Sequence, residues 1–175
     1  MTKRIVISGA PGTGKTSIIE ELSRKGYHCK PEISREIIAH QIAINGNITP
    51  WQDLEQFSEI VLEKRITQHR ETTNPTEFFD RSIIDVFAYL HHSNIKVKSE
   101  WKEIPNKYRY FNKVFMAPPW EEIYQKDNER KEDFTTSMTI HELMKKTYKD
   151  YGYQVFELPK TNIHERVRII LSEIE

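Results

Sequence analysis

The sequence predicts an α/β protein, a three-layer α/β/α sandwich around a parallel sheet of five strands. Short apolar segments alternate along the chain with segments of helical periodicity, which is typical of repeated βαβ units. The first apolar segment, Ile5-Val6-Ile7, runs through a glycine-rich turn into the helical pattern that begins near Ser17. The 175 residues are enough for one domain, residues 1–175.

Five strands are expected where apolar and β-branched residues cluster: residues 4–8, 27–30, 76–80, 113–117 and 153–158. Helices are expected at residues 14–25, 34–45, 51–71, 82–92, 99–110, 139–151 and 162–174. Gly26 lies where a glycine ends the first helix, Asn45-Gly46-Asn47 stops the second, and Thr49-Pro50 opens the third. Pro118-Pro119 ends the fourth strand.

Two segments receive a more specific interpretation. The helix over residues 51–71 carries Leu54, Phe57, Val61 and Leu62 at helical spacing, which predicts a packing face rather than a ligand site. Residues 119–137 are polar, charged and weakly periodic, and we expect them to form a mobile lid with some helix.

The glycine-rich turn matches the phosphate-loop pattern G-x-x-x-x-G-K-[ST]. Its glycines let successive backbone N–H groups surround phosphate oxygens, and the following helix adds its N-terminal N–H groups. Lys15 is predicted to reach the outer phosphates, and Thr16 to ligate Mg²⁺. The predicted nucleotide-binding residues are Gly9, Ala10, Pro11, Gly12, Thr13, Gly14, Lys15, Thr16 and Ser17. The predicted ligands are ATP and Mg²⁺. The chain has no Asn-Lys-x-Asp guanine signature, which favours ATP over GTP but leaves the base preference open.

Charged residues follow the second and third strands, and the carboxyl ends of parallel strands meet at one edge of a sheet. Asp80 is predicted to help hold Mg²⁺ or to accept a proton from the substrate hydroxyl, or else to cap the helix that begins at Ser82. Arg81 is predicted to clamp a phosphate, unless it forms a surface ion pair.

Glu32 lies directly after the second strand, so it is predicted to bind or deprotonate an acceptor hydroxyl. Alternatively it only favours the start of the next helix through the helix dipole. Arg35 either pairs with Glu32 or contacts the ligand.

Two later segments complete the predicted site. In the lid, Arg130 is predicted to close over the triphosphate and Lys131 is a weaker candidate, the alternative being an exposed, solvated helix face. Pro159, after the last strand, is predicted to lie beside the nucleotide base.

The amino-acid composition disfavours several classes of function. Lysine plus arginine and aspartate plus glutamate number 26 each, so no overall basic field favours a nucleic acid partner. The single cysteine, Cys29, excludes an internal disulfide. No apolar run is long enough to span a membrane, so we expect no membrane insertion and a cytoplasmic location.

Four motifs in order carry a family resemblance: the phosphate loop, Glu32-Ile33-Ser34-Arg35-Glu36, Phe79-Asp80-Arg81-Ser82, and the stretch from Pro118 to Phe134. With these the chain resembles the NadR-like AAA-type domain family, small P-loop proteins related to the ribosylnicotinamide kinase domain and more distantly to nucleoside and thymidylate kinases. The resemblance implies strand order 2-3-1-4-5, an arginine-bearing lid, Glu32 as base, and Asp80-Arg81 as the Asp-Arg pair after the third strand. From its length we expect no adenylyltransferase domain beside it, and these residues lack the arginine pattern of ring-forming AAA motors.

The favoured function is a kinase that transfers the γ-phosphoryl group of ATP to a nucleoside-like or other small-molecule acceptor. In that reaction Lys15, Arg81 and Arg130 balance charge, while Glu32 or Asp80 activates the acceptor. The alternative is a nucleotide-dependent switch that hydrolyses ATP or GTP slowly and binds a protein or lipid partner. A polynucleotide 5′-kinase is disfavoured by the neutral charge.

Overall fold

The computed structural model describes residues 2–123 and 133–174. Its centre is a parallel sheet with strand order β2-β3-β1-β4-β5. The strands are β1 (Lys3–Ser8), β2 (His28–Lys30), β3 (Thr76–Asp80), β4 (Lys113–Met116) and β5 (Gln154–Glu157). The predicted fold class and the implied strand order are therefore confirmed.

Helices cover both faces of the sheet. They are α1 (Lys15–Arg24), α2 (Ile33–Ala43), α3 (Leu54–Arg70), α4 (Ile83–His92), α5 (Ile104–Lys107), α6 (Phe134–Asp150) and α7 (Ile163–Ser172). Side chains alternate between the faces of a strand, so Ile5 and Ile7 of β1 pack in the core with α1 and α7. Val6, between them, packs in the opposite core with α3, α4 and α6. Both faces of the central strand are thus fully buried from Ile5 to Ser8.

The predicted helix over residues 99–110 is wrong as a single element. The structure has a 3₁₀ turn, Ser99–Trp101, followed by the short helix α5 with Pro105 in its first turn. A proline is tolerated there because its missing N–H would have no helical partner. Pro105 therefore starts a new helix instead of interrupting a longer one.

The last part of the predicted lid also differs. Helix α6 begins at Phe134, not at residue 139, because the Asp133 side chain accepts a hydrogen bond from the backbone N–H of Thr136 at 2.7 Å and caps the helix there. Residues 134–137 therefore belong to a helix. Earlier in the predicted lid, a 3₁₀ turn spans Glu121–Ile123. Residues 124–132, which include Arg130 and Lys131, lie outside the described residues.

Within residues 2–123 and 133–174, no helix combines the length and the apolar character needed to cross a membrane.

Candidate active site

The phosphate loop connects β1 to α1 at the carboxyl edge of the sheet. Gly14 precedes the first residue of α1 with φ of 83°, and Gly9 has φ of 139°. A Cβ on Gly9 would collide with the carbonyl oxygen of Ala117, at the end of β4, so both the conformation and the close approach require glycine. Thr16 and Ser17 are exposed in the first turn of α1, where a ligand can reach their hydroxyl groups.

Lys15 is buried within the loop. Its Nζ donates to the carbonyl oxygen of Ala10 at 2.8 Å and lies 3.4 Å from Thr13 Oγ1. Burial, assisted by the positive charge of Arg81, lowers the pKa of Lys15 to about 7, although nearby carboxylates oppose the shift. A phosphate group beside Lys15 would favour its charged form, so the loop is suited to an anion.

Glu32 and Arg81 form a buried ion pair across the ends of β2 and β3. Arg81 Nε donates to Glu32 Oε1 at 2.7 Å, and their side chains are 6% and 13% exposed. Burial disfavours the charged carboxylate, but Arg81 and Lys15 outweigh it and lower the pKa of Glu32 to about 2. Arg81 has φ of 69°, a conformation rare for a residue with a side chain, and its backbone N–H is held by the carbonyl oxygen of Ile7 at 2.9 Å.

Asp85, which we did not predict, supports Arg81 from the first turn of α4. It accepts hydrogen bonds from Arg81 Nη1 at 3.3 Å, Ser8 Oγ at 2.5 Å and Tyr148 OH at 2.5 Å. It also forms a capping box with Ser82, the residue that caps α4. The Ser-x-x-Asp spacing of residues 82–85 was the sequence signal for this box.

The interpretation of Asp80 as a helix cap is therefore wrong, because Ser82 occupies that position. Asp80 ends β3, is buried, and its Oδ1 has no hydrogen-bond partner among the described residues. Burial and the charge of Glu32 raise the pKa of Asp80 to about 6, against the opposing effects of Lys15 and two arginines. A carboxylate with an unused oxygen beside the phosphate loop is suited to a cation or a proton.

A cavity of about 370 Å³ opens between the loop and the helices, within the range of roughly 300–1,000 Å³ usual for small-molecule sites. The phosphate loop and parts of α1, α2, α3 and α4 line it, together with the residues just before α2 and α4, Pro50-Trp51 and Ile123. Glu32, Arg35 and Arg81 all line this cavity together with Lys15 and Thr16.

The apolar face of α3 packs in the core as predicted, since Phe57, Val61 and Leu62 belong to the core and Leu54 packs against it. Leu54, Phe57 and Val61 also line the cavity, so their exclusion from the ligand site is wrong. Arg65, one helical turn after Val61, lines the same wall and was not predicted. A helical apolar stripe has the same sequence pattern whether it covers a core or a pocket, so periodicity could not separate the two.

The remaining predicted residues lie around this centre. Arg35 Nε is 3.5 Å from Glu32 Oε2. Pro159 is exposed after β5, and its carbonyl oxygen accepts a hydrogen bond from Arg166 Nε at 2.9 Å. Arg166 also donates to the carbonyl oxygen of Thr13 at 3.2 Å, so the β5–α7 connection is tied directly to the phosphate loop.

A phosphate loop between the first strand and helix of a parallel sheet ordered 2-3-1-4-5 defines a P-loop protein with the fold of nucleoside and nucleotide kinases. A family model described as AAA domain matches residues 4–166, most of the chain. The protein belongs to this AAA domain family, and the resemblance to NadR-like AAA-type domains is confirmed. No curated protein matches the chain.

Three solved structures illustrate the similarity. Deoxyadenosine kinase from M. mycoides with bound dATP is 16% identical, with 98% of each chain covered and a TM-score of 0.69. The NadR protein in complex with NR is 18% identical with a TM-score of 0.74, and the alignment covers 98% of this chain and 51% of the NadR chain. Thymidylate kinase from Ehrlichia chaffeensis is 12% identical, with 99% of each chain covered and a TM-score of 0.65. At these identities the likeness concerns the fold.

Proposed function

We propose that the protein is an ATP-dependent phosphotransferase that transfers the γ-phosphoryl group of ATP to a nucleoside-like or other small metabolite. One observation carries this proposal. The phosphate loop and the charged residues Glu32 and Arg81 line the same cavity, so a donor on the loop and an acceptor beside Glu32 can meet inside it. Deoxyadenosine kinase and thymidylate kinase, which share the fold, are by name enzymes of this reaction class.

The chain supplies positive charge where phosphoryl transfer needs it. Lys15 lies in the loop beside the expected outer phosphates, and Arg81 points into the same cavity from the end of β3. The transferred group carries charge on its three equatorial oxygens, and enzymes of this class act mainly by positioning the reactants and neutralising that charge. Arg130 is proposed as a further cation from the lid.

Glu32 is proposed to orient the acceptor. Its lowered pKa keeps the carboxylate ionised near neutral pH, so it can accept a hydrogen bond from an acceptor hydroxyl. As the acceptor oxygen bonds to the γ-phosphorus, the bond from that phosphorus to the β–γ bridging oxygen breaks and ADP leaves. The hydroxyl proton passes to Glu32 and then to solvent. An ionised phosphate acceptor would need no such proton transfer.

Mg²⁺ is proposed to bind between Thr16 and Asp80. The residues fit this ion, because Asp80 Oδ1 is a buried carboxylate oxygen that lacks a partner within the described part of the chain, and Thr16 is exposed in the first turn of α1. When bound, Mg²⁺ neutralises charge on the β- and γ-phosphates.

Purified protein with Mg-ATP tests the proposal against a panel of nucleosides, nucleotides and other small hydroxyl compounds. We expect one acceptor to increase ADP formation strongly and to gain one phosphoryl group by mass spectrometry. Lys15→Ala should abolish this activity. If no small acceptor increases ATP consumption and the triphosphate-bound protein instead gains a protein or lipid partner, the protein is a switch.

Glu32→Gln distinguishes an acceptor-orienting carboxylate from a structural one. With a hydroxyl acceptor, we expect kcat to fall about 10²- to 10⁴-fold, the usual effect of losing a general base. ATP affinity should stay within about twofold, since Glu32 is not part of the loop. Glu36→Gln is the matched control, because Glu36 lies exposed on α2 and pairs only with Lys64 among the residues described. Equal activity of both variants would remove Glu32 from the mechanism.

A further inference from the structure

Arg65 on α3 is a buried cation with unused hydrogen-bond donors. Arg65 is only 1% exposed. Nη1 donates to Gln68 Oε1 at 3.2 Å, but Nε and Nη2 have no hydrogen-bond partner among residues 2–123 and 133–174. Buried arginines are almost always paired, because an uncompensated charge away from water is costly. The free donors therefore require an explanation.

The other buried cations of the cavity differ from Arg65. Arg81 is paired with Glu32 and Asp85, and Lys15 donates to the loop carbonyl oxygen of Ala10. Arg65 forms no ion pair within the described residues, although its charge helps to lower the pKa values of Glu32 and Asp80. Arg65 thus lies close enough to Glu32 and Asp80 to affect their charge, but it forms no ion pair with either carboxylate.

The free donors have the geometry of an anion receptor. Nε–H and Nη2–H lie on the same edge of the guanidinium plane, the edge that makes paired hydrogen bonds to a carboxylate or phosphate. Arg65 lines the cavity on the same helical face as Val61 and Phe57, four and eight residues earlier. An anion seated there would be surrounded by apolar side chains, where its attraction to the arginine is strong.

We propose that Arg65 binds an anionic group, a phosphate or a carboxylate, on the phosphoryl acceptor. The acceptor is then an anionic metabolite rather than a neutral nucleoside. This inference rests on the proposed phosphotransferase function and names the substrate class for the same cavity. Arg65 holds the anion in place and takes no part in the making or breaking of bonds.

Calorimetric titration tests the binding step without turnover. The protein is first saturated with Mg²⁺ and a non-hydrolysable ATP analogue, so that the phosphate loop is occupied. Nucleoside 5′-monophosphates, the corresponding neutral nucleosides and small hydroxycarboxylic acids are then titrated separately. We expect at least one anionic compound to bind, and the two anionic groups of compounds show whether phosphate or carboxylate is preferred.

Arg65→Met removes the charge while keeping an unbranched side chain. We expect its affinity for the anionic compound to fall about 10- to 100-fold, the usual worth of hydrogen bonds to a charged group. Lys64→Met is the matched control, since it removes the same charge from the preceding, exposed residue of α3 and should change affinity less than about twofold. Arg65→Lys keeps the charge without the planar edge and should lie between wild type and Arg65→Met.

Thermal unfolding separates this role from a structural one. Without ligand, Arg65→Met should unfold at the same or a higher temperature than wild type, because it removes a buried, unpaired charge. A clear fall in unfolding temperature would overturn the inference, since Arg65 would then stabilise the fold. A neutral nucleoside that is phosphorylated with its KM unchanged in Arg65→Met would also overturn it, while leaving the phosphotransferase proposal intact. Binding of an anion through Arg65 with no ATP consumption would support the anion site and refute the phosphotransferase.

Discussion

Replacing Arg81 by methionine tests the charge arrangement at the centre of the site. The substitution leaves the buried carboxylate of Glu32 without its 2.7 Å partner and removes one donor from Asp85. Breaking a buried ion pair from one side typically costs about 3–5 kcal/mol, out of a total of about 5–15 kcal/mol for a domain. Arginine and methionine both carry a Cβ at this position, where φ is 69°, so backbone strain does not account for the difference in stability between wild type and variant.

The pH dependence of the stability lost in Arg81→Met identifies the cause of that loss. In the wild type, the pKa of Glu32 is lowered from 4.5 to about 2, a difference that corresponds to about 3 kcal/mol. That stabilisation is present above pH 4.5 and is lost as the pH falls towards 2. Without Arg81, burial moves the pKa of Glu32 upward, and protonation then relieves the buried charge. The gap between wild type and variant should therefore shrink as the pH falls from 7 towards 4.

Urea unfolding followed by tryptophan fluorescence at several pH values measures this gap in the nucleotide-free protein. Arg168→Met is the control, because Arg168 and Glu165 form an exposed pair of the same residue types, and its removal should leave the unfolding midpoint unchanged. If Arg81→Met unfolds like Arg168→Met at pH 7, or if its loss does not depend on pH, the reasoning about the buried pair is refuted.

Three further predictions concern the same edge of the sheet. Burial raises the pKa of Asp80 from 3.8 to about 6, so protonation stabilises the fold fully below pH 3.8 and this contribution disappears as the pH rises through 6. Asp80→Asn should therefore raise the unfolding free energy at pH 7.5 by about 1–3 kcal/mol and abolish Mg-ATP turnover; a destabilised variant would contradict this. Gly9→Ala should cost about 3 kcal/mol or more and abolish ATP binding, whereas Gly152→Ala, with φ of 79° and open space around it, should cost about 1 kcal/mol in the same denaturant titration. Tyr148→Phe should cost about 1–3 kcal/mol, because Asp85 loses a hydrogen bond at 2.5 Å, and an unchanged unfolding midpoint would exclude that role.

Local sequence patterns predicted much of the fold. The phosphate loop could be read from eight consecutive residues because backbone conformations at Gly9 and Gly14 depend on the absence of a Cβ, which the sequence states directly. The alternation of apolar segments with helical periodicity likewise predicted the parallel sheet, since burial on both faces leaves a nearly continuous apolar strand. The strand order came from the family resemblance.

One prediction failed in part because core packing and cavity lining share the same sequence pattern. The apolar stripe of α3 packs in the core as predicted, yet Leu54, Phe57 and Val61 also line the cavity. The prediction that Asp80 caps a helix failed for a local reason, because Ser82 is the cap and the Ser-x-x-Asp spacing of residues 82–85 was its sequence signal. The wall of the cavity depends instead on segments that are distant in sequence.

The amino-acid sequence by itself predicted the anion-binding loop, the alternation of strands and helices, and the residues that end the first three strands. Only the tertiary structure decided which charges neutralise one another. Glu32 and Arg81 are 49 residues apart and yet form a pair, while Arg65 lines the same cavity and has two donors without a partner within the described chain. Pairing depends on distances of a few ångströms between side chains from separate helices and strands, and periodicity along the chain carries no information about those distances.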